Sequence, residues 1–251
     1  MTHSRHALRA AALVALALGV AWAAEAPRPA PPRAAERARM VEEIGADLRD
    51  TAATTGVQDL SPRVRRALLD VPRHAFVPDA YQDAAYANEA LPIGRDQTIS
   101  QPFVVALMTE LAAPGPDDVV LEVGTGSGYQ AAILARLARR VYTIEIVREL
   151  AESAAARLAA QGFANVEVRT GDGYAGWPEH APFAAILVTA GAAEIPAPLV
   201  AQLARGGRLV VPLGPDAGAQ ELVLLTKDQE DRTTRRSLLP VRFVPFTHEL
   251  R

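Results

Sequence analysis

The chain contains no cysteine, and among its 26 basic residues only Lys227 is a lysine. Without thiols there is no disulfide frame, no thiolate metal site and no cysteine nucleophile, and cysteine usage says nothing about redox compartment. Histidine is sparse too. The five lie at positions 3, 6, 74, 180 and 248, and none pair at the i, i+4 spacing that puts two ligands on one helix face. The pattern argues against a metal enzyme. A net charge of -3 lacks the positive excess that nucleic acid attracts, and pairs such as Arg65-Arg66, Arg139-Arg140 and Arg235-Arg236 are scattered. No nucleic-acid partner is expected. The preference for Arg, with abundant Ala, Pro and Gly, reads as a GC-rich coding bias, so single Arg and Ala residues carry little meaning.

Long apolar runs are also scarce. One uncharged stretch, Ala10 to Ala24, follows Arg5 and Arg9. It is too short and too rich in small residues for a membrane span but fits a signal-peptide core, with cleavage near Ala23 or Ala26. The Pro-rich "APRPAPP" after it suits an extended linker. Read this way the protein is exported; read as upstream codons of a chain starting at Met40, the segment is not part of the working protein. The expected division is 1–39 as signal-like segment and linker and 40–251 as one domain. Within that domain, 40–115 forms a helical cap and substrate-side loop, and 116–251 a cofactor-binding sheet.

What is present supports a real core: 49% of 251 residues are hydrophobic. Apolar positions Val41, Ile44 and Leu48, then Val64, Leu68 and Leu69, recur at helical spacing and predict two short helices, the second capped by Ser61 with Pro62 behind it. From Val119 the pattern changes. Val119–Val123 reads as a buried parallel strand, runs into the glycine loop Gly124-Thr125-Gly126-Ser127-Gly128, and continues as a helix from Tyr129 to Ala138. A second strand, Val141–Ile144, ends at Glu145, 21 positions after Gly124. Further alternation follows: helix 147–160, strand 166–170, strand 184–188, helix 198–204, strand 209–213. "ELVLLT" and "LLPVRFVPF" read as last strands. The predicted fold is a doubly wound, mostly parallel Rossmann-like α/β sheet with a short N-terminal helical extension.

A glycine-rich first turn serves both nicotinamide and S-adenosylmethionine folds. The dinucleotide fingerprint is G-x-G-x-x-G/A, and Ala131 offers it only a loose third position. Glycine at every second place, with Glu122 ahead of them, favours a donor without phosphate, whose ammonium an acidic residue can face. Glu145 sits where a carboxylate accepts from ribose hydroxyls; its structural alternative is a helix N-terminal acid. Asp172, followed by Gly173 in "GDGYAGW", is placed to accept from adenine, or else to close an Asx turn.

The chain resembles the protein-L-isoaspartate (D-aspartate) O-methyltransferase family. The resemblance rests on "VPRHAFVP", "LPIGRDQTISQPFVVALMTELA", "VLEVGTGSGYQAAILA", "VYTIE", "GDGYAGW", "APFAAILVTAGAAEIP", "GGRLVVPLG" and "RFVPF", in order over nearly everything after Met40. It implies S-adenosyl-L-methionine as methyl donor, isoaspartyl proteins as substrates, Ser100 as the active-site residue, and Thr98, Ile99, Gln101 and Pro102 as its substrate-side neighbours. The product ester then expels methanol to a succinimide that partly reopens to aspartate. An isoaspartyl carboxylate is already ionised at neutral pH, so no general base is needed, in keeping with a motif that lacks His and Cys. Ser100 also precedes an apolar helical run, where it would serve as N-cap. Two departures stand out: Ala184 replaces a common acidic residue, and Thr247 matches a cofactor-side position of some members only. A monomer without membrane insertion is expected, and the resemblance implies action in the cytoplasm, where the methyl donor is made. Open alternatives are a methyltransferase for an aspartyl group of one dedicated protein, a catalytically silent donor-binding protein, and a nicotinamide oxidoreductase.

Overall fold

Residues 33–215 and 218–248 are described by the computed structural model, so the signal-like run and its cleavage points lie outside the described residues. Helix α1 (Ala34–Thr55) and α2 (Pro62–Asp70) are followed by a hairpin of β1 (Leu91–Gly94) and β2 (Gln97–Ile99), and then by α3 (Pro102–Ala112). The alternating part is β3 (Val119–Val123), α4 (Tyr129–Ala135), β4 (Arg140–Glu145), α5 (Arg148–Ala160), β5 (Val166–Thr170), β6 (Phe183–Val188) and α6 (Ala197–Gln202), closed by β7 (Leu203–Leu213), β8 (Gln220–Lys227) and β9 (Thr233–Val241).

Seven strands form one sheet in the order β5-β4-β3-β6-β7-β8-β9. The pairings from β5 through β7 are parallel, and β8 and β9 add antiparallel ribbons at the far edge. Successive residues of β3 serve opposite faces: Val120 packs with Ile44, Leu107 and Ile133, whereas Leu121 and Val123 pack with Phe183, Leu199 and Trp177. This two-sided burial is why β6 reads as an unbroken apolar run and β3 as one broken only by Glu122. After β3 the chain builds outward through β4 and β5, then returns to the other side of β3 as β6. Such a reversal opens a crevice at the strands' carboxyl ends.

Several expected boundaries differ. Helix α1 is 22 residues long and starts at Ala34, so the division at Met40 falls inside it, and Arg37 is already buried. The Ala/Arg/Glu run of residues 34–39 is helix-forming, but a Pro-rich neighbour disguises it as linker. Helix α4 ends at Ala135. The run "LLPVRFVPF" is not one strand: β9 ends at Val241, and the chain beyond crosses towards the crevice, where Gly191 N–H donates to Val244 O and Phe246 N–H to Gly191 O, both at 2.8 Å. The stretch "GRDQTISQP" enters a hairpin rather than a plain loop. Arg95 and Asp96 both take left-handed φ, 55° and 57°, the backbone handedness a tight hairpin needs.

Candidate active site

The glycine loop is held to the sheet by Gly124 N–H donating to Ile144 O at 2.8 Å. Gly124 has φ +104°, and a Cβ there would run into Thr189 Oγ1, which itself donates to Gly124 O at 2.7 Å. No larger residue fits. Gly126 N–H donates to Glu145 Oε2 at 2.7 Å, and Val147 N–H donates to Glu145 Oε1 at 2.9 Å. Glu145 thus braces the loop against the turn after β4 while keeping lone pairs for a ligand. Ser127 Oγ accepts from Tyr129 N–H, and Arg157 Nη1 of α5 donates to Ser127 O at 2.7 Å. Thr125 Oγ1 meets Thr143 Oγ1 at 2.7 Å.

That threonine pair leads to Glu122. Thr143 Oγ1 donates to Glu122 Oε2 at 2.5 Å, whereas Glu122 Oε1 is buried with no partner among the described residues. Burial pushes the Glu122 carboxyl up to about 8; the Thr143 hydrogen bond opposes this and the neighbouring Glu145 charge adds to it. An orphaned, fully buried carboxylate oxygen in a cleft is costly unless a cationic donor completes it.

Glu122, Glu145, Thr125, Gly126 and Ser127 line a cleft at the carboxyl ends of β3 and β4, with Gly124 and Gly173 in its wall. Gly173 is needed for close approach, since a Cβ would overlap Val123 Cγ1. Asp172 sits differently from its neighbour. Its Oδ1 accepts from Tyr174 N–H at 2.8 Å, capping the turn Gly173–Ala175, and its Oδ2 lies 3.1 Å from His248 Nδ1. The Asx-turn geometry is therefore realised, and Asp172 is not among the lining residues.

Thr98, Ile99 and Ser100 form the opposite wall. Ser100 does not cap α3: the N-cap is Gln101, without a side-chain bond, and Asn88 Oδ1 instead accepts from Phe103 N–H at 3.0 Å. Asn88 is held in turn through Nδ2, which donates to Asp47 Oδ2 at 2.6 Å. Relieved of capping, the Ser100 hydroxyl has no hydrogen-bond partner among the described residues. It faces the first cleft and also a second, more apolar groove lined by Gln101, Phe103 and Leu239–Val244. Thr98, Ser100, Thr189 and Val244 line both. Pro102 lines neither; it is buried at the first turn of α3.

Thr189 and the segment Val244–Thr247 complete the first cleft and were not singled out by the sequence reading, apart from Thr247. Thr189 carried a usable signal: it is the first polar residue after the apolar run of β6, at a strand's carboxyl end. Ala184 lies at the other end of β6, away from the cleft.

A sequence profile described as Protein-L-isoaspartate(D-aspartate) O-methyltransferase (PCMT) matches residues 47–251. Protein-L-isoaspartate O-methyltransferase 2 of Syntrophobacter fumaroxidans is 56% identical over 216 residues, covering 86% of this chain and 87% of its own. The protein of the same name from a Polaromonas species is 54% identical over 208 residues, covering 83% and 99%. Among solved structures, a protein-L-isoaspartate O-methyltransferase superposes with TM-score 0.72 at 30% identity, covering 83% of this chain and 66% of that one. A Plasmodium falciparum protein of like description, in complex with S-adenosyl-L-homocysteine, shares the fold with TM-score 0.69 at 23% identity. With the profile spanning most of the sequence and two relatives above 50% identity, the chain belongs to the protein-L-isoaspartate(D-aspartate) O-methyltransferase family.

Proposed function

We propose that this protein transfers a methyl group from S-adenosyl-L-methionine to the α-carboxylate of L-isoaspartyl residues, beginning their repair. The observation that carries the reading is the wall shared by the two clefts, where an unpartnered Ser100 hydroxyl stands between a glycine-loop pocket and an apolar groove open to a peptide. The residues fit the donor. Glu122 Oε1, lacking a partner, would hold its ammonium; Glu145, at the end of β4, would hold ribose hydroxyls; Gly124, Gly126 and Gly173 leave room for close backbone approach. When bound, the donor supplies an electrophilic methyl on a sulfonium. Asp172 would act on the adenine side through the position of Gly173 rather than from within the cleft.

The acceptor carboxylate is ionised at neutral pH, so the protein's task is alignment and exclusion of water. Ser100 and Thr98 offer neutral hydroxyl donors, which orient the carboxylate without locking it in an ion pair. Ile99, Gln101 and Phe103 supply the surrounding surface. The test is methyl transfer from labelled donor to paired peptides differing only in isoaspartyl or aspartyl linkage. Label confined to the isoaspartyl peptide supports the reading. Label on neither, with donor still bound, selects the silent donor-binding protein, and label on an aspartyl group of one protein selects the dedicated enzyme.

We read the protein as a monomer; sedimentation velocity tests it. No helix of the described residues is long and apolar enough to cross a membrane. We place the activity in the cytoplasm, where the donor is made. N-terminal sequencing of protein from separated periplasmic and cytoplasmic fractions tests this, and a mature chain beginning near Ala24 or Pro27 in the periplasm would overturn it.

A further inference from the structure

The second groove has an uneven chemistry. Of its 14 lining residues, nine are apolar or proline, three are the hydroxyl residues Thr98, Ser100 and Thr189, one is the amide Gln101, and one is charged: Arg242. Arg242 is exposed and makes no hydrogen bond or ion pair among the described residues. It stands at the point where the chain leaves β9, two residues before Val244, which belongs to the wall shared with the donor cleft. Two residues of chain span at most about 7 Å. A carboxylate on the first or second residue beside a bound isoaspartyl group is therefore within reach of the guanidinium.

Resting on the methyltransferase reading above, we infer that Arg242 is a specificity-determining residue that selects isoaspartyl peptides carrying an acidic side chain one or two positions from the damaged residue. The apolar remainder of the groove accepts varied flanking side chains without sequence demand. The single fixed cation adds a charge preference, favouring Asp or Glu and disfavouring Lys or Arg nearby. Its reach is short, because salt screens an exposed charge over about 8–10 Å. The preference is accordingly a modest one.

The experiment compares kcat/KM for three isoaspartyl peptides that differ only in flanking Glu, Gln or Lys. For the unaltered protein the expected order is Glu above Gln above Lys, with steps of about two- to fivefold, the range of solvent-exposed ion pairs, carried by KM rather than kcat. The steps shrink in 0.5 M salt, Arg242→Gln brings the three values together, and Arg242→Glu reverses the order. Equal values for the unaltered protein, or an order that survives Arg242→Gln, overturns the inference while leaving the methyltransferase reading intact. Absence of methylation on all three peptides overturns that reading itself, and this inference with it.

Discussion

Ser100 and Glu122 share one cleft but are governed by different physics, and their substitutions separate accordingly. Ser100→Ala removes a neutral donor that touches the acceptor; kcat on an isoaspartyl peptide is expected to fall by about 10- to 100-fold, the scale of a lost orienting hydrogen bond, while the donor dissociation constant changes little. Single-turnover methylation beside calorimetric donor binding checks both. For Glu122 the observable is stability against pH. Folding raises this carboxyl from 4.5 to about 8, so between those values the folded chain keeps a proton that the unfolded chain has released. Its contribution is fully present below about pH 4.5 and is lost as pH rises through 8. The Tm of the donor-free protein is expected to decline over that window more steeply than that of Glu122→Gln, read by calorimetry at pH 5, 6.5 and 8. Much of the site was legible at this scale. Glu122 and Glu145 are tied to the glycine loop by short spacings, and spacing within a βα unit maps directly onto space. Asn88 was not legible, because its cap on α3 reaches across 15 residues from an irregular segment.

Elements carry the positioning. Helix α3 presents Ser100 correctly only while another residue caps it, so Asn88→Ala is expected to lower stability by about 1 kcal/mol and to reduce kcat without moving donor affinity; chemical denaturation and steady-state kinetics measure the two. Gly173→Ala forces a Cβ into Val123 at the end of β3. A loss of about 1–3 kcal/mol is expected from this overpacking, together with weaker donor binding; an unchanged denaturation midpoint would show that the turn shifts freely. The central strands β3 and β6 were readable in advance because both faces are buried, leaving runs that are apolar apart from Glu122. The β1–β2 hairpin was not, since its turn uses left-handed Arg95 and Asp96 in place of the usual Asn-Gly signal. The first part of β9 escaped notice for a related reason: Thr233–Ser237 is exposed and polar, as an edge strand is when it avoids pairing with other chains.

For the whole molecule, the N-terminal turn of α1 belongs to the folded body. Arg37 is buried and donates to Tyr86 OH at 3.3 Å, and Arg33 Nη1 donates to Gln82 O at 2.7 Å, stitching α1 to the segment before the hairpin. A chain started at Met40 is expected to lose on the order of 1–3 kcal/mol relative to one started at Arg33, read as a lower Tm; identical melting would show that the first turn is dispensable. Donor binding to the folded state alone should raise stability by about 2.7 kcal/mol at a hundredfold excess over Kd. The alternation of strands and helices from β3 to β7, the glycine loop, the acidic residues beside it and the lack of thiols were determined by the sequence itself, because each depends on residue type, periodicity or short spacing. That Ser100, Thr189 and Val244 meet in one wall, that Ser100 is freed from capping, and that Arg242 stands beside the acceptor groove were decided only by the tertiary structure. Those contacts join distant parts of the chain, and they depend on the crossover that returns β6 to the far side of β3, which no local pattern specifies.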